Sequence, residues 1–170
     1  MSDFVFSQIL GLLGLIFDSG SAQFKKRVYF FSAMGIGALF IAGHFYMLEQ
    51  YTAASMFVIA AVRHFITIRF RSRYLYLVFV LSALGLVALT YSSYLSLLSG
   101  LANILMVSGS FSHTQKNMRL LLMVGAFVWL IINVIIFSPA AILLELVFLV
   151  SGSIGYYRHV YRPQKQGCAA

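Results

Sequence analysis

The sequence predicts an all-α integral membrane protein with seven transmembrane helices, arranged as two parallel three-helix repeats joined by a linker helix (3+1+3). Hydrophobic residues make up 61% of the chain and charged residues only 9%, whereas soluble domains contain about 25% charged residues. Residues 74 to 111 contain no Asp, Glu, Lys or Arg. As one helix this run would measure about 57 Å, nearly twice the thickness of a hydrocarbon core, so it must cross twice.

The first apolar run, residues 4 to 17, predicts a short transmembrane helix rather than a cleaved signal peptide. It lacks a basic region before it and a small-residue cleavage site after it. A six-helix alternative, in which this segment lies on the membrane surface, stays open. The seven predicted helices cover residues 4 to 18, 28 to 48, 52 to 68, 74 to 91, 94 to 111, 119 to 138 and 140 to 158.

Basic residues concentrate in alternate loops. The first, third and fifth loops and the C-terminal tail hold 11 of the 12 Lys and Arg residues. The opposite loops, with turns near Glu49, residues 91 to 94 and Ser138, hold none. The positive-inside rule therefore predicts an external N-terminus and a cytoplasmic tail at residues 163 to 170. The 11 residues are Lys25, Lys26, Arg27, Arg69, Arg71, Arg73, Lys116, Arg119, Arg158, Arg162 and Lys165.

An offset of 89 residues aligns helix ends and basic loops of the two halves without a gap. It predicts a single membrane domain with repeat 1 at about residues 4 to 73, a linker helix at about 74 to 91 and repeat 2 at about 94 to 162. Three helices are an odd number, so the fourth helix restores the orientation and makes the repeats parallel. The alternative is that two apolar sequences align by chance.

The segment from Phe24 to Arg27, followed by residues 61 to 69, resembles the YgjV-type family of small bacterial inner-membrane proteins. This resemblance implies a bacterial inner-membrane location. The helix plan is in turn similar to that of SWEET and PQ-loop transporters, which move sugars or amino acids. The chain departs from those transporters because its only prolines are Pro139 and Pro163, and neither lies in the first helix of a repeat.

Polar residues inside a membrane are candidates for function. Phe40 and His44 align with Trp129 and Asn133, so each repeat presents an aromatic ring one helical turn from a hydrogen-bonding group. This pairing suits a small polar solute, whose apolar faces stack on the rings. Asn103 lines the same axis if it faces inward. The alternative is ordinary packing, with His44 and Asn133 bonding neighbouring helices.

Two charged residues also lie within predicted helices. Arg63 either extends its head to the headgroups or faces inward as an anion or counter-ion site. Glu145 can carry a proton, pair with Arg63 or a histidine, or sit at the outer interface. Three histidines beside basic loops are expected to add positive charge or to bind lipid headgroups. They are His64, His113 and His159.

These features predict a transporter or facilitator of a small polar solute. The alternative is a non-transporting scaffold or partner subunit, using small residues such as those at 151 to 155 for association, including homo-oligomers. An enzyme is not expected, because the chain lacks H-E-x-x-H and G-x-S-x-G motifs. We expect no catalytic residues, cofactor or metal. The lipid bilayer is the expected partner, and nucleic acid is not, since the basic residues form no contiguous face.

Overall fold

A computed structural model of the chain describes residues 2 to 47, 51 to 89, 94 to 135, 137 and 139 to 162. Within these ranges the chain forms seven α-helices and no strand, which confirms the all-α prediction. A π-helical turn, Tyr157–Tyr161, continues the last helix. The helices are α1 (Ser2–Ser21), α2 (Arg27–Met47), α3 (Tyr51–Arg69), α4 (Arg73–Leu89), α5 (Tyr94–Phe111), α6 (Gln115–Ile135) and α7 (Pro139–Tyr156).

Helix length fits a bilayer throughout the described chain. The seven helices contain 17 to 21 residues, and a transmembrane helix needs about 17 to 25. By length and composition together, α2, α5 and α6 qualify as membrane spans. The apolar parts of α1 and α4 are shorter. A crossing by each of the other four helices stays a prediction.

The surface of α1 shows why this protein needs lipid. Ser7 and Ser21 are fully buried, and Gly14 is buried between them. The opposite face carries four aliphatic residues that are 49 to 57% exposed and are spaced by three or four positions. A helix that buries hydroxyls and exposes aliphatic side chains suits a hydrocarbon environment rather than water. The four residues are Val5, Ile9, Leu12 and Ile16.

The beginning of α6 differs from the prediction. The other helix ends lie within three residues of their predicted positions, but α6 begins at Gln115 rather than at residue 119. The Oγ1 atom of Thr114 accepts a hydrogen bond from the Asn117 backbone N–H at 3.2 Å, which caps the helix earlier than hydropathy indicates. Arg119 was predicted in the fifth loop, and it is instead buried within α6 with 2% of its surface exposed.

Some predictions fall on residues outside the described ranges. The outer turns at Glu49, residues 91 to 93 and Ser138 belong to this group, as does the tail at residues 163 to 170. Their predicted positions are therefore untested.

The chain divides into two compact units, residues 1 to 70 and residues 71 to 170. In the first unit α2 contacts both α1 and α3. In the second unit α5 contacts α4 and α6, and α6 also contacts α7. The predicted linker helix, α4, thus groups with the second unit.

Glycines lie at close contacts between helices in both units. A methyl group added at Gly37 would lie 3.1 Å from the Gly14 carbonyl oxygen, and one added at Gly125 would lie 3.3 Å from the Ala102 carbonyl oxygen. In each case the contacted carbonyl lies 23 residues earlier in the chain. Small residues at such positions let two helix backbones approach closely.

These contacts bear on the register of the predicted repeat. Gly37 and Gly125 are 88 residues apart. The first residue of α6 lies 88 positions after the first residue of α2, and their last residues are separated by the same number. The beginnings of α3 and α7 are also separated by 88 residues. The repeat remains a prediction, but these bounds favour an offset of 88 rather than 89. At 88, His44 corresponds to Ile132 and not to Asn133.

Candidate functional site

The first unit contains a group of polar and aromatic residues, all buried except the half-buried Arg27, that we call the Arg63 cluster: Arg27, Phe31, Arg63, His64 and Thr67. α3 supplies three of them, and their exposed fractions are 9% for Arg63, 4% for His64 and 0% for Thr67. Arg63 and Thr67 are four residues apart and therefore share one face of the helix. A stretch of α3 that hydropathy places in the membrane thus turns polar side chains inward.

Aromatic and hydrogen-bond contacts connect α2 to α3 within this cluster. The Arg27 guanidinium carbon lies 4.5 Å from the centre of the Phe31 ring, a cation–π distance. The Phe31 ring stacks on the His64 ring with 5.6 Å between centres. The Arg27 Nε–H also donates to the Thr67 carbonyl at 3.2 Å. Guanidinium, phenyl and imidazole thus form a continuous stack from one helix to the next.

Two nitrogen atoms of the cluster are left without partners. Among the residues that the structure describes, Arg63 Nε and His64 Nδ1 are buried and have no hydrogen-bond partner. A buried polar group without a partner costs about 1 to 3 kcal/mol, and more when it is charged. Arg63 Nε and His64 Nδ1 are therefore the atoms of this cluster that are open to a further hydrogen bond.

The burial of Arg63 and His64 disagrees with one predicted role of each residue. An arginine that extends to the headgroups exposes its guanidinium, whereas Arg63 is buried, so the inward-facing interpretation fits better. His64 was expected beside a basic loop, where it would add charge or bind headgroups. Instead it is buried and stacked on Phe31. This interpretation of His64 was wrong, because the loop follows α3 only after one further helical turn.

Asp18 is an acidic residue that the sequence analysis passed over. It lies within α1, because that helix continues to Ser21 rather than ending at residue 18. The Ser21 hydroxyl donates to the Asp18 carbonyl at 2.6 Å, within the last turn of the helix. The position of Asp18 directly after the first apolar run, residues 4 to 17, could have indicated from sequence that α1 contains an acidic residue.

Phe40 and His44 both contact α1. The His44 Nδ1–H donates to the Ser7 carbonyl at 2.7 Å. The Phe40 ring lies 5.6 Å from the Phe17 ring. Gly11 makes room for the imidazole, since a methyl group there would lie 3.3 Å from His44 Nδ1. These contacts match the packing alternative for His44.

The other three predicted solute-binding residues lie in the second unit. The Asn103 side-chain amide donates to the Ser99 carbonyl of its own helix at 3.2 Å. Trp129 is half-buried and Asn133 is buried with 8% exposed. Since Phe40 and His44 belong to the first unit, a single site formed by all five remains a prediction.

The two charged residues predicted within the helices also lie in different units. Arg63 lies in the first unit, and Glu145 lies half-buried on α7 in the second. An ion pair between them remains a prediction.

The second unit contains a pocket of about 450 Å³ where α4 and α6 begin and α5 ends. We call it the α4–α6 pocket. Its lining includes the positively charged residues Arg71 and Arg73, the imidazole of His113, and the hydroxyls of Ser72 and Thr114. None of the predicted solute-binding residues lines it. The sequence did not predict this pocket, because its residues appear there only as charges in separate loops.

Comparison with known proteins identifies relatives of the whole chain. Residues 5 to 163 match the family model Imp-YgjV, described as a bacterial inner membrane protein. The chain is 26% identical over 158 residues to inner membrane protein YgjV of Escherichia coli strain K12. That alignment covers 92% of this chain and 82% of the relative. No solved structure matches the chain significantly.

Proposed function

Because the chain belongs to the Imp-YgjV family of bacterial inner membrane proteins, we propose that it is a facilitator that moves a small polar solute across the inner membrane. The proposed solute is an anion, and Arg63 is its main binding residue. This assignment deepens the prediction of an inward-facing anion site on α3.

The observation that supports the proposal is the buried Arg63, whose Nε has no partner among the described residues. A guanidinium offers donors in a fixed plane that match a carboxylate, phosphate or sulfate. His64 adds a second buried nitrogen at the adjacent position. A bound anion would satisfy these donors and neutralise the guanidinium charge, which is costly inside a membrane.

The rest of the predicted site has a supporting part in this proposal. His44 and Phe40 hold α1 against α2 through Ser7 and Phe17. Asn103, Trp129 and Asn133 lie in the second unit, and a part for them in binding the solute stays a prediction. The proposed orientation places the N-terminus outside and the basic loops in the cytoplasm, as the positive-inside rule predicts.

Counterflow in proteoliposomes tests the proposal. The probes are radiolabelled acetate, lactate, succinate and phosphate, with glucose and glycine as solutes without net charge. We expect the wild-type protein to exchange at least one anion, and Arg63→Gln to reduce that exchange about tenfold, since a charge-assisted contact is lost. Arg63→Lys should retain part of the exchange because it keeps the charge.

Arg69→Gln is the matched control, because Arg69 is exposed at the end of the same helix. It should leave exchange unchanged. Absence of exchange for all six probes, or an equal loss in Arg63→Gln and Arg69→Gln, would contradict the proposal. A stable partner in native mass spectrometry together with absent exchange would instead favour the partner-subunit alternative.

A further inference from the structure

We propose that the α4–α6 pocket binds a phosphate group, carried either by a small soluble molecule or by a lipid headgroup. This inference rests on the second unit alone and is independent of the transport proposal.

The lining of the pocket carries positive charge. Arg71, Arg73 and His113 contribute to its lining. The chain has no Asp or Glu anywhere between Glu49 and Glu145. The segment that forms α4, α5 and α6 therefore supplies no carboxylate to balance these cations. Any counter-ion for these exposed cations therefore comes from outside this segment.

Two helices, α4 and α6, begin at the pocket. The Ser72 hydroxyl accepts a hydrogen bond from the Tyr74 N–H at 3.2 Å, and the Thr114 hydroxyl accepts one from the Asn117 N–H at 3.2 Å. These two hydroxyls cap the N-termini of α4 and α6, and both residues line the pocket. Each helix N-terminus carries a partial positive charge that adds to that of the arginines.

The shape and polarity of the pocket provide a further argument. The pocket is an open groove at the surface of the unit, and its volume of about 450 Å³ exceeds what a phosphate alone fills. Phe111 contributes an apolar wall, and its ring contacts Tyr76 edge-on with 6.0 Å between centres. The Tyr76 hydroxyl lies 3.3 Å from the Ser108 hydroxyl. The pocket thus offers cations for a phosphate and a mixed wall for the group attached to it.

Binding of matched ligands tests the inference and identifies the source of the phosphate. In one arm, the full-length protein in an uncharged detergent is titrated calorimetrically with glycerol 3-phosphate and with glycerol. In the other arm, native mass spectrometry compares retention of phosphatidylglycerol with retention of diacylglycerol, which has no phosphate. Circular dichroism confirms that each variant keeps its helix content.

We expect one phosphate-bearing ligand to bind and its uncharged counterpart not to bind. Arg71→Gln and Arg73→Gln should each weaken binding about tenfold. Arg69→Gln removes the same charge two residues away and does not line the pocket, so it should have little effect. Binding of glycerol 3-phosphate would identify a soluble ligand, and selective retention of phosphatidylglycerol would identify a lipid.

Two results would overturn the inference. One is absence of binding in both arms. The other is an equal loss in all three arginine variants, because this would mean general attraction of anions to a basic loop rather than a site.

Discussion

The helix pairs α1–α2 and α5–α6 use the same kind of contact and differ in their polar groups. Gly37 meets the α1 backbone at Gly14, and Gly125 meets the α5 backbone at Ala102. In the first pair His44 also bonds across to Ser7. In the second pair Asn103 bonds within its own helix. Both helix pairs therefore approach closely at a glycine, and the polar groups are additions to that shared contact.

α3 in the first unit and α7 in the second, the last helices of the two predicted repeats, differ more. α3 buries Arg63, His64 and Thr67, whereas α7 buries Gly152 and Gly155. At the offset of 88, His64 corresponds to Gly152 and Thr67 to Gly155. A methyl group at Gly152 would lie 3.1 Å from the Met123 side chain, so α7 packs closely on α6 there. The first unit thus carries a polar cluster where the second unit has close packing.

The largest change in the free energy of unfolding is expected when the shared glycine contact is lost. Gly37→Leu and Gly125→Leu should each lower the free energy of unfolding by about 3 kcal/mol, because the larger side chain forces two backbones apart. Thermal unfolding in detergent, followed by size-exclusion fluorescence, measures this change. Gly85→Leu is the matched control, since nothing lies within 4 Å of a methyl group at Gly85. Equal stability of Gly37→Leu and Gly85→Leu would show that the glycine contact is unimportant.

The next largest effect is expected to be an increase in stability rather than a loss. Arg63→Leu should raise the free energy of unfolding by about 2 kcal/mol, because it removes a buried charged group whose Nε has no partner among the described residues. A gain in stability combined with a loss of anion exchange would be typical of a functional residue. The same unfolding assay applies, with Arg69→Leu as the exposed control. A destabilised Arg63→Leu would mean that the guanidinium is structural.

The smallest effect concerns the contact between α2 and α3. Arg27→Gln removes the guanidinium from the Phe31 ring and its Nε–H from the Thr67 carbonyl. We expect the free energy of unfolding to fall by about 1.5 kcal/mol. Arg69→Gln, which removes an exposed charge, should change it by less than about 0.5 kcal/mol. An equal change in both variants would show that charge alone, and not the stack, accounts for the effect.

Much of the fold could be predicted from hydropathy, because lipid requires long apolar helices. α5 lies at residues 94 to 111, as predicted. The beginning of α6 could not be predicted in this way, since it depends on the Thr114 cap rather than on apolar content. Hydropathy assigns Lys116 and Arg119 to a loop, whereas the backbone needs only a hydroxyl cap to begin its helix before them.

The candidate sites were harder to predict than the helices. The contact of His44 with Ser7 joins residues 37 positions apart and depends on how α1 packs on α2. The burial of Arg63 likewise depends on which face of α3 meets α2, and its sequence neighbours Val62 and His64 do not indicate that face. The α4–α6 pocket combines residues from two loops and three helices. Sequence shows the charges in those loops but not the space between them.

The long stretch without carboxylates has an electrical consequence for the living cell. Moving one charge through a membrane potential of 100 mV changes its free energy by about 2.3 kcal/mol. Arg69, Arg71 and Arg73 lie in or beside the loop between α3 and α4. Together their free energy would change by about 7 kcal/mol, and the sequence has no Asp or Glu between Glu49 and Glu145 to reduce their charge. In the predicted orientation, with the basic loops in the cytoplasm, an energised membrane would therefore hold these arginines on its negative face.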